Sequence, residues 1–178
     1  MTSDAISALL ESLALKSLLR AGWAQRNVPG PESVAGHSWG VTFLTLALLP
    51  SDLDRERALA YAVLHDLPEV RVGDLTPADG VPRHERKARE ARALAGMTEH
   101  LPNGAELSQL WHDYEKQADP ESRFVRQLDR LDMALQAIIY AEQGNPGMEE
   151  LLESAGSIIE DPALQAIMER LWERIRGA

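Results

Sequence analysis

Cysteine is absent from the 178 residues, which excludes disulfides, thiolate-held zinc and cysteine nucleophiles. No apolar run approaches the roughly 20 residues that span a bilayer; the longest, Val41 to Leu49, falls well short and carries Thr42 and Thr45. Positive charge is in deficit. Eighteen Lys and Arg stand against 28 Asp and Glu, a net charge of −10, whereas duplex nucleic acid needs clustered cations for its phosphates. A small phosphorylated ligand needs only a local positive site, so a small-molecule enzyme ranks above a nucleic-acid binder. The start, Met1-Thr2-Ser3-Asp4, lacks the basic region of a signal peptide, and the expected setting is the cytoplasm, with no membrane partner. Alternating β-branched runs, internal repeats and low-complexity linkers are also missing, so no sheet is expected. What remains is ordinary for a soluble globular chain, 44% apolar and 26% charged, of a length that suits one domain.

The hydrophobic spacing is helical. Ile6, Leu9, Leu10, Leu13, Leu18 and Leu19 recur at three and four, the stripe of an amphipathic helix that Gly22 ends. Asn27 to Pro31 is a connection. Ser33 caps a second helix reaching Leu49, and Pro50 closes it. Ser51 or Asp52 caps a third, from about Leu53 to His65. Gly73 to Pro82 reads as a loop, and the charged run from Arg83 to Arg92 as a solvated helix face. Further helices follow over Ala105–Lys116, Ser122–Glu142 and Pro162–Arg176.

Chemistry concentrates at the helix ends. His65-Asp66 closes an otherwise apolar helix, and such polar groups need partners if buried. Alone, the pair reads as a helix end in which His65 caps carbonyls and Asp66 starts a turn. His37, however, lies one turn inside the preceding helix, beside Gly36, which leaves room for a close approach. Antiparallel packing across a short loop sets His37 next to His65, and two imidazoles with a carboxylate make an open metal site. A fourth ligand is expected from the long helix, whose stripe of Phe124, Leu128, Leu131, Leu135, Ile138 and Ile139 takes in Asp132 and has Asp129 at its edge. Either fits, and Asp132 can equally pair with Arg20 or Arg26.

The order His37, His65-Asp66, Asp129 resembles the signature of the HD-domain superfamily of metal-dependent phosphohydrolases. Gly22-Trp23, Arg26-Asn27, Pro31 to Val34, His65 to Glu69, Val72-Gly73-Asp74 and Phe124 to Asp129 look like its 5′-deoxynucleotidase branch, with a family-like core over about 15–140. The resemblance implies a single all-α HD-domain bundle over residues 1–178, completed by C-terminal helices over 146–178. It places the fourth metal ligand at Asp129. It also implies catalytic roles for Glu69 and Asp74, and a nucleoside pocket shaped by Trp23. One position departs: where the bacterial phosphatases have an arginine contacting the phosphate, Gly22 stands here, and Arg20 or Arg26 is expected to supply the cation. His84, His100 and His112 fall outside the pattern and are read as surface residues, which argues against the superfamily's di-iron oxygenases.

Two His nitrogens and two carboxylates suit one divalent transition metal, Mn, Co, Fe, Ni or Zn, better than Mg, which prefers oxygen and water. The expected activity is release of the 5′-phosphate from deoxynucleoside monophosphates. The alternatives are action on another phosphate ester or a nucleoside triphosphate, or a metal-stabilised binding protein without catalysis. The branch is similar in being dimeric, and Trp111, Tyr114 and Trp172 on otherwise polar helices are expected to form the apolar patch of a homodimer.

Overall fold

Polar side chains start several of the helices by accepting their first free amides. In the computed structural model, which describes residues 2–177, Thr2 caps α1 (Ser3–Ser12), Ser33 caps α3 (Val34–Leu48), Asp54 caps α4 (Arg55–Leu64) and Asp119 caps α8 (Pro120–Glu142). Met1 and Ala178, the ends of the expected span, lie outside the described residues. Between and after these come α2 (Ala21–Ala24), α5 (Glu69–Val72), α6 (Arg83–Thr98), α7 (Gly104–Lys116), α9 (Glu149–Gly156) and α10 (Pro162–Gly177). No strand occurs among the described residues, only an isolated antiparallel bridge between Leu19 and Ser33. The all-α class is as the sequence implies, and no described helix is long and apolar enough to cross a membrane.

The axis is α8, which packs against α3, α4, α7, α9 and α10. It buries Phe124, Val125, Leu128, Leu131, Ala134, Ala137 and Ile138, each large one worth about 1.5–3 kcal/mol in transfer from water. Asp119 does more than cap α8. Its Oδ2 also accepts from Arg57 Nε at 2.7 Å and from the Tyr61 hydroxyl, both on α4. The two helices are thereby fixed in register, which brings the end of α4 to the middle of α8. The leading segment is fixed by the bridge: Arg20 N donates to Glu32 O at 3.0 Å and Val34 N to Leu18 O at 2.8 Å.

Five local readings are corrected. The α4 cap is Asp54, not Ser51 or Asp52, because Glu121 accepts from the Asp54 amide at 3.0 Å and sets the turn there. The N-terminal stripe does not face the core: Ile6, Leu9, Leu10 and Leu13 are exposed, while Ala5 and Ala8 are buried. Helix α1 ends at Ser12 in a 3₁₀ turn over Leu13–Lys16, and Gly22 lies inside α2 instead of breaking a longer helix. The charged face of α6 is not all solvated, since Glu90 is buried and paired with Arg86 at 3.2 Å. Trp111 and Tyr114 do not form an outer patch: both are 2% exposed, and the Trp111 indole donates to the carbonyl of His65 at 3.0 Å.

Candidate active site

His37 and His65 meet where α3 begins and α4 ends, with Nε2 atoms 3.3 Å apart. Both rings are buried, and each is fixed by its other nitrogen. His65 Nδ1 lies 2.9 Å from the Ala62 carbonyl, which can only accept, so this nitrogen carries the proton and Nε2 a lone pair. His37 Nδ1 donates to Asp132 Oδ2 at 2.7 Å. A carboxylate behind a histidine in this way fixes the tautomer of metal-binding imidazoles and raises their basicity.

Two further carboxylates face the pair. Asp129 Oδ1 lies 3.3 Å from His37 Nε2, and Asp66 Oδ2 lies 3.2 Å from His65 Nε2 and 3.6 Å from His37 Nε2. The structure thus brings together His37, His65, Asp66 and Asp129, and ligand atoms of His37, His65 and Asp129 lie within 4.8 Å of one another. Burial and the Arg20 charge oppose protonation of His37, yet its hydrogen bonds to Asp129 and Asp132 and the charge of Asp66 prevail, raising its pKa to about 9. Burial opposes ionisation of Asp66 and Asp129 as well, but their histidine contacts hold both below the usual carboxylate range. Two imidazoles and two carboxylates that collect a proton when no cation is present fit a divalent ion.

The carboxylates open onto a cleft of about 560 Å³ lined by Arg20, Gly22, Trp23, Arg26, Glu69, Asp74, Arg126, Arg130 and Met133, with Glu150, Leu151 and Ser154 on its far wall. Glu69 is buried and its Oε2 has no partner. Burial, then the charges of Asp66 and Asp74, push its pKa well above the carboxylate range. Asp74 Oδ2 accepts from the Ala21 amide at 2.8 Å and lies 3.9 Å from Arg20 Nε, tying α2 to the cleft. Arg20 also reaches Asp66 at 3.4 Å. Trp23 is buried, donates to Glu32 at 3.0 Å and meets the Tyr140 ring edge-on at 5.0 Å. Arg26 lies at the rim, bonded to the Gly22 carbonyl at 3.3 Å and to Glu150 at 3.4 Å. His84 and His100 are exposed and His112 half-buried, all away from this cluster.

Four contributors have no role assigned from the sequence. Gly40, one turn after His37, lets Asp132 approach: a Cβ there would stand 2.0 Å from Asp132 Oδ1, whereas one at Gly36 meets only ordinary contacts. A glycine inside a helix costs about 1 kcal/mol against alanine and signals close approach. Arg126 falls within the quoted Phe124 to Asp129 segment but carries no role there, Arg130 lies one residue beyond it, and α9 lines the cleft from outside the matched segments.

A family model described as an HD domain matches residues 13–172. The chain belongs to the HD domain family. Within that family it is 37% identical to 5′-deoxynucleotidase HDDC2 of Bos taurus over 161 residues, 88% of this chain and 78% of that one. It is 30% identical to 5′-deoxynucleotidase hdd1 of Schizosaccharomyces pombe over 177 residues, 91% of this chain and 89% of the relative. Among solved structures, a conserved hypothetical protein of Pyrococcus furiosus superposes with a TM-score of 0.79 at 33% identity, covering 94% of this chain and 99% of that one. A predicted metal-dependent phosphohydrolase of Magnetospirillum magnetotacticum gives 0.75 at 25% identity, with 97% and 91% covered. HD domains imply a divalent metal, in keeping with the donor set above.

Proposed function

We propose that this HD-domain protein hydrolyses the 5′-phosphate of deoxynucleoside monophosphates. The observation that carries the reading is the convergence of two Nε2 nitrogens and two carboxylates, the carboxylates opening onto a nucleotide-sized cleft, in a chain whose relatives are named 5′-deoxynucleotidases. His37, His65, Asp66 and Asp129 hold one divalent transition ion, Mn, Co, Fe, Ni or Zn. When bound, the ion supplies Lewis acidity, polarising the phosphoryl group and offsetting charge on its oxygens.

The reaction is a hydrolysis: a water oxygen bonds to phosphorus, the bond to the 5′-oxygen breaks, and a water proton ends on that oxygen. Glu69 carries that proton. It lines the cleft with a free, buried Oε2 and a raised pKa, which suits a group that takes and returns a proton. Asp74 acts by position, holding the start of α2 and hence Trp23. Trp23, pinned by Glu32 and Tyr140, is a rigid wall for the deoxyribose. Arg20 and Arg26 give the floor and the rim positive charge. Purified protein loaded with each metal in turn and offered a panel of phosphomonoesters tests the reading. Phosphate release fastest from deoxynucleoside 5′-monophosphates is expected. No release from any ester at full metal occupancy would favour a binding protein.

The same reading includes a homodimer, formed on a different surface from the aromatics of α7. Trp39, Phe43 and Leu46 share one face of α3 and are 70%, 55% and 54% exposed, with the first two rings stacked 5.8 Å apart. An apolar face of this kind suits self-association about a twofold axis.

A further inference from the structure

Arginine is concentrated in the cleft out of proportion to the chain. In a protein of net charge −10, five arginines line this one cavity: Arg20, Arg26, Arg86, Arg126 and Arg130. Three are engaged by the protein. Arg20 lies against Asp66 and Asp74. Arg26 is bonded to the Gly22 carbonyl and Glu150. Arg86 donates to the Leu75 carbonyl at 3.0 Å and lies beside Glu90.

The two on α8 differ. Arg126 and Arg130 are four residues apart, so they project from one face of the helix, on either side of Asp129. The two oxygens of Asp129 divide between the halves of the site. Oδ1 faces His37, while Oδ2 lies 3.4 Å from Arg126 and 3.8 Å from Arg130. Arg126 donates to that oxygen and has no other acidic partner among the described residues, and Arg130 Nε, like Arg86 Nε, is buried with no hydrogen-bond partner. A buried guanidinium nitrogen left without an acceptor is costly unless something else accepts from it. Tyr114, buried in the field of Asp129, Arg126 and Asp66, gives this wall a rigid backing.

We propose that Arg126 and Arg130 form the clamp for the phosphoryl group, the guanidinium forks that take its free oxygens as the ester reaches the carboxylates. The proposal rests on the phosphohydrolase reading and gives it its anion site. An oxyanion between two arginine forks satisfies the donor that the protein leaves open at Arg130, and planar bidentate recognition of phosphate is the arginine's particular chemistry.

The probe is inorganic phosphate, titrated calorimetrically into the metal-loaded protein, with metal content and turnover of a deoxynucleoside 5′-monophosphate measured on the same samples. In Arg126→Gln and Arg130→Gln the phosphate Kd is expected to rise about 10- to 100-fold. Metal content and affinity for the unphosphorylated deoxynucleoside should stay at the parental level. Arg130→Lys keeps the charge without the fork and recovers part of the loss. A phosphate Kd within about twofold of the parent in both Gln variants overturns the clamp. So does metal loss in both Gln and Lys variants, which makes these residues braces for Asp129, and so does a parent that binds no phosphate. A parent that binds phosphate through these arginines yet releases none from monophosphates leaves the clamp standing and removes the deoxynucleotidase reading.

Discussion

His37 donates from Nδ1 to Asp132 across 2.7 Å while its Nε2 lies 3.3 Å from Asp129, so two aspartates three residues apart on α8 serve the two nitrogens of one ring. Asp129 joins the cluster with His65, and Asp132 lies behind the imidazole. Asp129→Ala is therefore expected to lose the metal. Asp132→Ala should keep it at saturating concentration with affinity lowered by about 10- to 100-fold, the usual cost of removing a partner behind a ligand. Metal titration of the two purified variants checks this, and tighter binding by Asp129→Ala than by Asp132→Ala would reverse the roles.

Gly40 is the space that this arrangement requires. An alanine there brings Cβ against the Asp132 carboxylate, which has to move and release His37. Intrinsic propensity alone would make Gly40→Ala stabilising by about 1 kcal/mol. The expected outcome is the opposite: a weakened metal affinity close to that of Asp132→Ala, with no gain in thermal stability. A more stable variant with parental metal affinity would show that Asp132 has room to spare.

The helix content and the meeting of His37 with His65-Asp66 were legible because the signals are local: Ser33 caps α3, the interhelix loop is short, and the α8 stripe has a clean period. The division of labour between Asp129 and Asp132 was not. Residues three apart lie on the same side of a helix, and a helical wheel cannot say which nitrogen of a ring on another helix each will meet. The α1 stripe misled for a related reason. Periodicity gives a face its direction but not its partner, and Ala5 and Ala8 pack inward while Leu9, Leu10 and Leu13 stay exposed. The burial of Trp111 is not legible either, because its indole partner, the His65 carbonyl, belongs to the end of a different helix.

The stacked Trp39 and Phe43 on α3 make the assembly prediction specific. Trp39→Asp combined with Phe43→Ser should convert a dimer into a monomer near 19.7 kDa by light scattering. Neither side chain is buried in the fold, so thermal stability of the isolated subunit should change little, as is usual for exposed sites. A parental mass already at the monomer value, or a double variant that stays dimeric, refutes this face as the interface.

Glu69 tests the chemistry apart from the ion. It stands three residues after Asp66, across Pro68, with one carboxylate oxygen buried and free. If it carries the proton between water and leaving group, Glu69→Gln keeps the shape and the hydrogen-bonding capacity but cannot cycle a proton. Turnover should fall by about 10²- to 10⁴-fold, while metal content and nucleotide affinity hold. Stability should not suffer, because burial and the charges of Asp66 and Asp74 already favour the neutral form in the folded state. The raised pKa fixes the sign: the ionised carboxylate is penalised on folding, so stability drawn from this residue declines as pH rises from the unfolded value through the folded one. The Gln variant should lose that decline. Loss of metal in Glu69→Gln would make Glu69 a ligand, and an enzyme of parental activity would leave it as no more than an acid at the start of α5.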